Sequence, residues 1–79
     1  MKIIKKSLST NIKKIVSKCA SVPLNEINEE TSMQNTFKWD SLAHVKIMIE
    51  IEKKYTKIKT SEFSQLNSVK KIIAKISKK

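Results

Sequence analysis

A chain of 79 residues makes one small domain, whose folding buries only somewhat more than ~60% of the unfolded surface. That leaves a thin core and no room for a deep, water-excluding enzyme pocket. The formal charge is +10, and all 17 basic residues are lysine. Such a charge attracts nucleic acid, anionic lipid or an acidic protein. The absence of arginine and the presence of only four aromatic residues argue against base readout and base stacking. The excess of Lys, Ile, Asn and Ser also matches the codon usage of an AT-rich genome. With no glycine and a single proline, Pro23, the chain lacks the φ > 0 turn residues of hairpin-rich folds and reads as helices joined by polar loops. Cys19 is the only cysteine, which excludes an intrachain disulfide and a multi-cysteine zinc site. The basic start "MKIIKK" is followed by lysines at 13 and 14 before any signal-peptide core can form. No apolar run reaches the length of a membrane span, and a cytoplasmic location is expected.

Leu8, Ile12, Ile15, Val16 and Cys19 recur at helical spacing and predict an amphipathic first helix over about 3–19. Residues 20–40, "ASVPLNEINEETSMQNTFKWD", hold the proline and four of the seven acids with no sustained period. They read as a long loop with one turn near Pro23, of a length that is often functional. Val22, Leu24, Ile27, Met33, Phe37 and Trp39 are its expected anchors on the helices. A second helix is expected over about 41–55, with Asp40 or Ser41 as N-cap. Its apolar stripe is read as Leu42, Val45, Met48, Ile49 and Tyr55, widened by Ile47 and Ile51, and Ile47, Met48, Ile51 and Ile72 are expected in the core. Lys53 and Lys54 suit its negative end, and Glu50 precedes Lys54 in the favourable i,i+4 order. A short third helix is expected over about 61–66. The fourth, over about 68–77, is capped by Asn67 or Ser68 and carries Val69, Ile72, Ile73 and Ile76 at i, i+3, i+4, i+7.

Ser41 has three readings. Taken locally, serine after aspartate at a helix start is simply a cap. A catalytic reading would join Ser41 to His44, three residues on, and to Asp40. Adjacent Asp and Ser at a helix end diverge, however, and nothing lets Asp40 orient the His44 ring. The "DSL" string is also similar to the G-D-S-L block of a lipase family. Trp39 stands in the glycine's place, the chain is too short for that α/β fold, and His44 is the only histidine. In the third reading the serine carries a phosphate-linked group, since a helix N-terminus favours a phosphodiester and a separate transferase can supply the base.

The third reading gains from a resemblance. "WDSLAHVKIMIEIEKKY" resembles the second helix of acyl carrier proteins, whose D-S-L motif bears 4′-phosphopantetheine on its serine. "EINEETSM" is similar to the family's first loop and "FSQLNSVKKIIAKI" to its third and fourth helices, so the likeness covers nearly the whole chain. The resemblance implies an all-α, three-to-four-helix bundle with a long loop between helices 1 and 2. It makes Ser41 the attachment residue for 4′-phosphopantetheine, transferred from coenzyme A by a phosphopantetheinyl transferase with Mg²⁺, and makes Asp40 and Leu42 the rest of the recognised motif. The arm's thiol would carry acyl groups as thioesters between a loading ligase or synthase and downstream enzymes, raising their effective concentration there. The chain itself would be a monomer that catalyses nothing.

One departure separates this chain from the family. Typical carriers are acidic, and their second helix offers carboxylates to basic partner surfaces. Here Ala43, Lys46 and Lys53 occupy positions where acids are frequent, while Glu52 is retained. The lysines would repel a basic patch, so partners with neutral or acidic surfaces, or docking through apolar contacts such as Ile49, are expected. Trp39 and His44 beside the serine are similar to stand-alone carriers of specialised pathways. His44 is read as a solvated residue in preference to a contact for the arm's phosphate, and Trp39 as an anchor of the loop as readily as a shield for the arm. Two other readings stay open. One is an aminoacyl or peptidyl carrier of the same fold; the other is a basic helical module for nucleic acid or an anionic membrane, with Ser41 only a cap.

Overall fold

The computed structural model describes residues 5–77. Four α-helices follow one another: α1 (Lys5–Ala20), α2 (Ser41–Lys54), α3 (Thr60–Phe63) and α4 (Val69–Ser77). The expected start of the first helix at residues 3 and 4, and the lysines at 2, 78 and 79, lie outside the described residues. The radius of gyration is 11.4 Å, close to the ~11.6 Å expected of a folded chain this long. The coarse expectation of a small all-α fold is therefore met.

α1 is the central helix and packs against both α2 and α4. Leu8, Ile12, Ile15, Val16 and Ala20 line its inner face, because i, i+4, i+7 and i+8 fall on one side of a 3.6-residue turn. Cys19, expected on this stripe, sits at its edge and is partly exposed. The helix ends with Ser21 at φ 57°, and the Val22 N–H bonds back to the Ser17 carbonyl at 3.1 Å. This is the left-handed closure that glycine usually supplies; lacking glycine, the chain uses serine. The Ser17 hydroxyl also donates to the Val22 carbonyl, at 2.6 Å.

The 20–40 segment is less irregular than its composition implies. A 3-10 turn, Leu24–Glu26, follows Pro23. Asn28 and Thr31 then close a turn in which Asn28 N–H donates to the Thr31 hydroxyl at 2.9 Å. An isolated antiparallel bridge joins Ser32 to Ser68, with Met33 N–H donating to Asn67 and Val69 N–H to Thr31. That bridge ties the middle of the loop to the start of α4. Of the expected anchors, Ile27 and Trp39 are buried, and Val22 and Met33 pack partly against the core. Leu24 and Phe37 do not anchor anything: Phe37 is 98% exposed.

Side-chain oxygens set the later boundaries. Ser68, one of the two expected caps, accepts the Lys71 N–H at 3.1 Å. α3 is shorter and earlier than expected. Glu62 starts it by accepting the Lys59 N–H at 3.0 Å, and it also binds Lys75 of α4 at 2.6 Å. This is the ion pair found among the described residues; the Glu50–Lys54 order on α2 does not close into one.

Candidate functional site

The corner where the long loop enters α2 is built by three consecutive residues with separate tasks. Trp39 is 1% exposed, and it fixes the approach of the chain by burying the largest side chain of the protein. Asp40 is extended (φ −93°, ψ −172°), and its Oδ1 accepts the Ala43 N–H at 2.9 Å. Of the two candidate caps, the residue that caps α2 is therefore Asp40. Ser41 is the first helical residue, and it is exposed. Its hydroxyl has no hydrogen-bond partner among the described residues. It stands at the positive end of a 14-residue helix, the position that favours an anionic group.

His44 corrects the expectation of a solvated side chain. It is 6% exposed and both ring nitrogens are engaged. The Trp39 indole N–H donates to Nδ1 at 3.1 Å, and Nε2 lies 2.5 Å from the Phe63 carbonyl. Since the indole can only donate, Nδ1 must accept and Nε2 must carry the proton given to Phe63. The neutral Nε2–H tautomer thus links the loop, α2 and the end of α3. The two rings stand 6.0 Å apart, tilted by 38°. Asp40, Ser41 and His44 do not assemble as a triad, because Asp40 caps the helix and the His44 ring faces the core.

The other expected site residues divide by helical face. Ala43 is buried at 5% exposure, packed in the core with Ile47, Met48 and Ile51, and is no docking residue. Leu42 and Val45, placed by periodicity on one stripe with Met48, are 65% and 44% exposed, and Ile49, read both on that stripe and as an apolar docking contact, is 46% exposed. Lys46 and Lys53 are exposed. Glu52 is exposed too, but its Oε2 accepts the Ile58 N–H at 2.9 Å and so stabilises the turn after α2. α2 is consequently apolar on two opposite sides, one filled by α1 and the core and one facing outward.

No family model and no curated protein matches the chain.

Beside the outward face lies a cleft of about 310 Å³ lined by Lys18, Cys19, Ser21, Lys46, Ile49 and Glu50. Burial pushes the Cys19 thiol pKa up, and the Glu50 carboxylate adds to the rise while Lys18 and Lys46 oppose it. Lys38 reaches the same corner, its Nζ 3.4 Å from the Ser21 carbonyl. Sequence reading missed this cluster, since Lys18, Lys38 and Lys46 come from α1, the loop and α2, and no spacing links them. Among the described residues no helix is long and apolar enough to cross a membrane.

Proposed function

We propose that the chain is a phosphopantetheine-dependent carrier of acyl-carrier type, with Ser41 as the attachment residue. The observation that carries this reading is the division of labour at the start of α2. Asp40 performs the capping that would otherwise explain the serine, which leaves Ser41 an exposed hydroxyl with no structural task. The D-S-L motif and the likeness of the flanking segments supply the rest. The local chemistry fits the group, because a phosphodiester on Ser41 Oγ would sit at the positive end of α2 in open solvent. The arm, when bound, supplies a thiol that holds an acyl group as a thioester.

The remaining residues act around that attachment. Asp40 holds the first turn so that the serine projects outward, and Trp39 and His44 fix the loop that precedes it. Leu42, exposed beside the serine, completes the surface read by a phosphopantetheinyl transferase. Among the described residues no side chain bonds to the Ser41 hydroxyl, so in this reading the base belongs to the transferase and the carrier itself is not an enzyme. The cargo is an acyl group of a specialised fatty-acyl or secondary pathway, and an aminoacyl or peptidyl group would use the same fold and serine.

The test is the intact mass of the purified protein before and after incubation with coenzyme A, Mg²⁺ and a broad-specificity transferase, with Ser41→Ala in parallel. A gain of one phosphopantetheine in the wild type alone is expected. No gain with several transferases, in protein that is demonstrably folded, overturns the reading in favour of a basic binding module. That module would show polyanion affinity that falls steeply with salt and is indifferent to Ser41→Ala.

A further inference from the structure

The loop before α2 presents an aromatic ring to solvent. Phe37 is 98% exposed, although the backbone that bears it is held on both sides. Thr36 accepts the Trp39 N–H at 3.0 Å and closes a turn with Phe37 and Lys38 at its tip. Asn35 braces the turn on one side, its Nδ2 donating to the Glu30 carbonyl at 2.9 Å and its Oδ1 accepting the Ser32 N–H at 2.9 Å. Buried Trp39 and the bond from Lys38 Nζ to the Ser21 carbonyl brace it on the other. A side chain held in place this way loses little entropy when something covers it. The charge around the ring is opposite in sign to that of the chain. Residues 20–40 set Glu26, Glu29, Glu30 and Asp40 against Lys38, a balance of −3, while the remaining 16 lysines and three acids leave +13. Glu29 is engaged by Ser9, and Asp40 by the cap of α2. The Glu26 and Glu30 carboxylates have no partner among the described residues, and Glu26 lines the same hollow as Phe37.

The matching hollow lies between α3 and α4. It is an open cleft of about 670 Å³ with Leu66 and Ala74 as its apolar lining and Glu62, Lys71 and Lys75 around them. A cavity of roughly 150 Å³ already holds a benzene ring, so the cleft has room for a phenyl group and the turn that carries it. Lys75 is paired with Glu62, which leaves Lys71 as the uncompensated charge of the cleft, with exposed Lys70 next to it in the chain. We propose that a second copy of the chain docks here, Phe37 of one copy seated in the α3–α4 cleft of the other, with Glu26 and Glu30 against Lys70 and Lys71. The two halves match in shape, a ring against an apolar-lined hollow, and in sign. Within one copy they do not meet, since Phe37 stays in solvent. With the loop foremost, each +10 chain meets its copy by its acidic side, and repulsion between the remaining charges is largely screened beyond ~8 Å at physiological ionic strength. Nucleic acid and an anionic bilayer are disfavoured, because their phosphates would face the unpaired Glu26 and Glu30. An interface centred on one ring is small and associates weakly, so the copies exchange. The contact goes beyond the carrier reading, requires no group on Ser41, and departs from the monomer that the resemblance implies.

The test is sedimentation equilibrium with ¹⁵N spectra of the unmodified full chain, diluted from about 1 mM to about 10 µM, the range of a weak interface. Association at the top of that range is expected, with reversible shifts in two separate patches, Phe37–Lys38 and Leu66–Ala74. Phe37→Ser removes the ring and Ala74→Trp fills the cleft; each should weaken self-association at least about tenfold. Both positions are exposed, and circular dichroism checks that each variant keeps its helices. Mixing the two variants is the sharper experiment. The Ala74→Trp chain keeps the ring and the Phe37→Ser chain keeps the cleft, so two chains that fail to associate alone should form a 1:1 heterodimer together. Lys71→Glu exchanges one positive charge for one negative and lowers the formal charge from +10 to +8. It should weaken the contact about tenfold, whereas general repulsion between basic chains would make the less charged variant associate more tightly. A wild-type chain that stays monomeric at the highest concentration overturns the proposal and leaves Phe37 to a different protein. So does a mixture of folded variants that stays monomeric, or a Lys71→Glu chain that associates more tightly.

Discussion

Removing the Asp40 carboxylate tests the division of labour on which the functional reading depends. Asp40→Ala deletes the 2.9 Å bond from the Ala43 N–H to Oδ1 and leaves the first turn of α2 uncapped. Loss of such a cap costs about 1 kcal/mol. The carboxylate also faces the positive helix end, a further ~0.3–1 kcal/mol, so the expected total is about 1–2 kcal/mol. In a domain of this length each kcal/mol lowers Tm by about 4–8 °C. Asp40→Asn keeps an acceptor and loses the charge, and should cost only about 0.3–1 kcal/mol. Ser41→Ala removes an exposed hydroxyl with no partner and places a better helix former at the first helical position; it should change stability by less than ~0.5 kcal/mol. Urea denaturation of the four unmodified proteins, followed by circular dichroism with a shared m-value, separates these cases. If Ser41→Ala loses as much stability as Asp40→Ala, Ser41 carries a structural load and the reasoning fails.

The buried relay and the Glu62 pair give two further expectations. Trp39→Phe keeps an aromatic ring but leaves the His44 Nδ1 without its donor, a buried acceptor worth about 1–3 kcal/mol. A double-mutant cycle with His44→Phe, read from urea midpoints, should return a coupling above ~0.5 kcal/mol, and additive losses would dissolve the relay. Glu62 has its carboxyl held below the usual glutamate range, first by the hydrogen bond from Lys75 and then by that from the Lys59 N–H. A depressed folded-state value stabilises above the unfolded value of about 4.3 and is lost as pH falls through the folded one. Glu62→Gln should therefore flatten the decline of the urea midpoint below about pH 5, while an unchanged acid limb would remove Glu62 from that decline.

What the sequence determined by itself was local. Four helices, the turn after Pro23, the apolar face of α1 and a cap at Asn67 or Ser68 were legible, because each depends on neighbours within about one or two turns. The exposed Ser41 at the mouth of a helix was legible for the same reason. Which of Asp40 and Ser41 was the cap required the backbone, since only one side chain can meet the Ala43 N–H. The sequence placed Ile47, Met48 and Ile51 in the core, as they are, but counted Leu42, Val45 and Ile49 on the same stripe, and the tertiary structure decided that these three face outward. Leu42, Val45 and Ile49 satisfy helical spacing as well as Ala43, Ile47 and Ile51 do, and a helix apolar on two faces has no preference until α1 covers one of them. His44 became a buried link because its partners lie five residues before it and nineteen after it, in segments that meet only when the chain folds. The cleft beside α2 arises in the same way: Lys18 of α1 and Lys46 of α2 come to line it only when packing brings the two helices together.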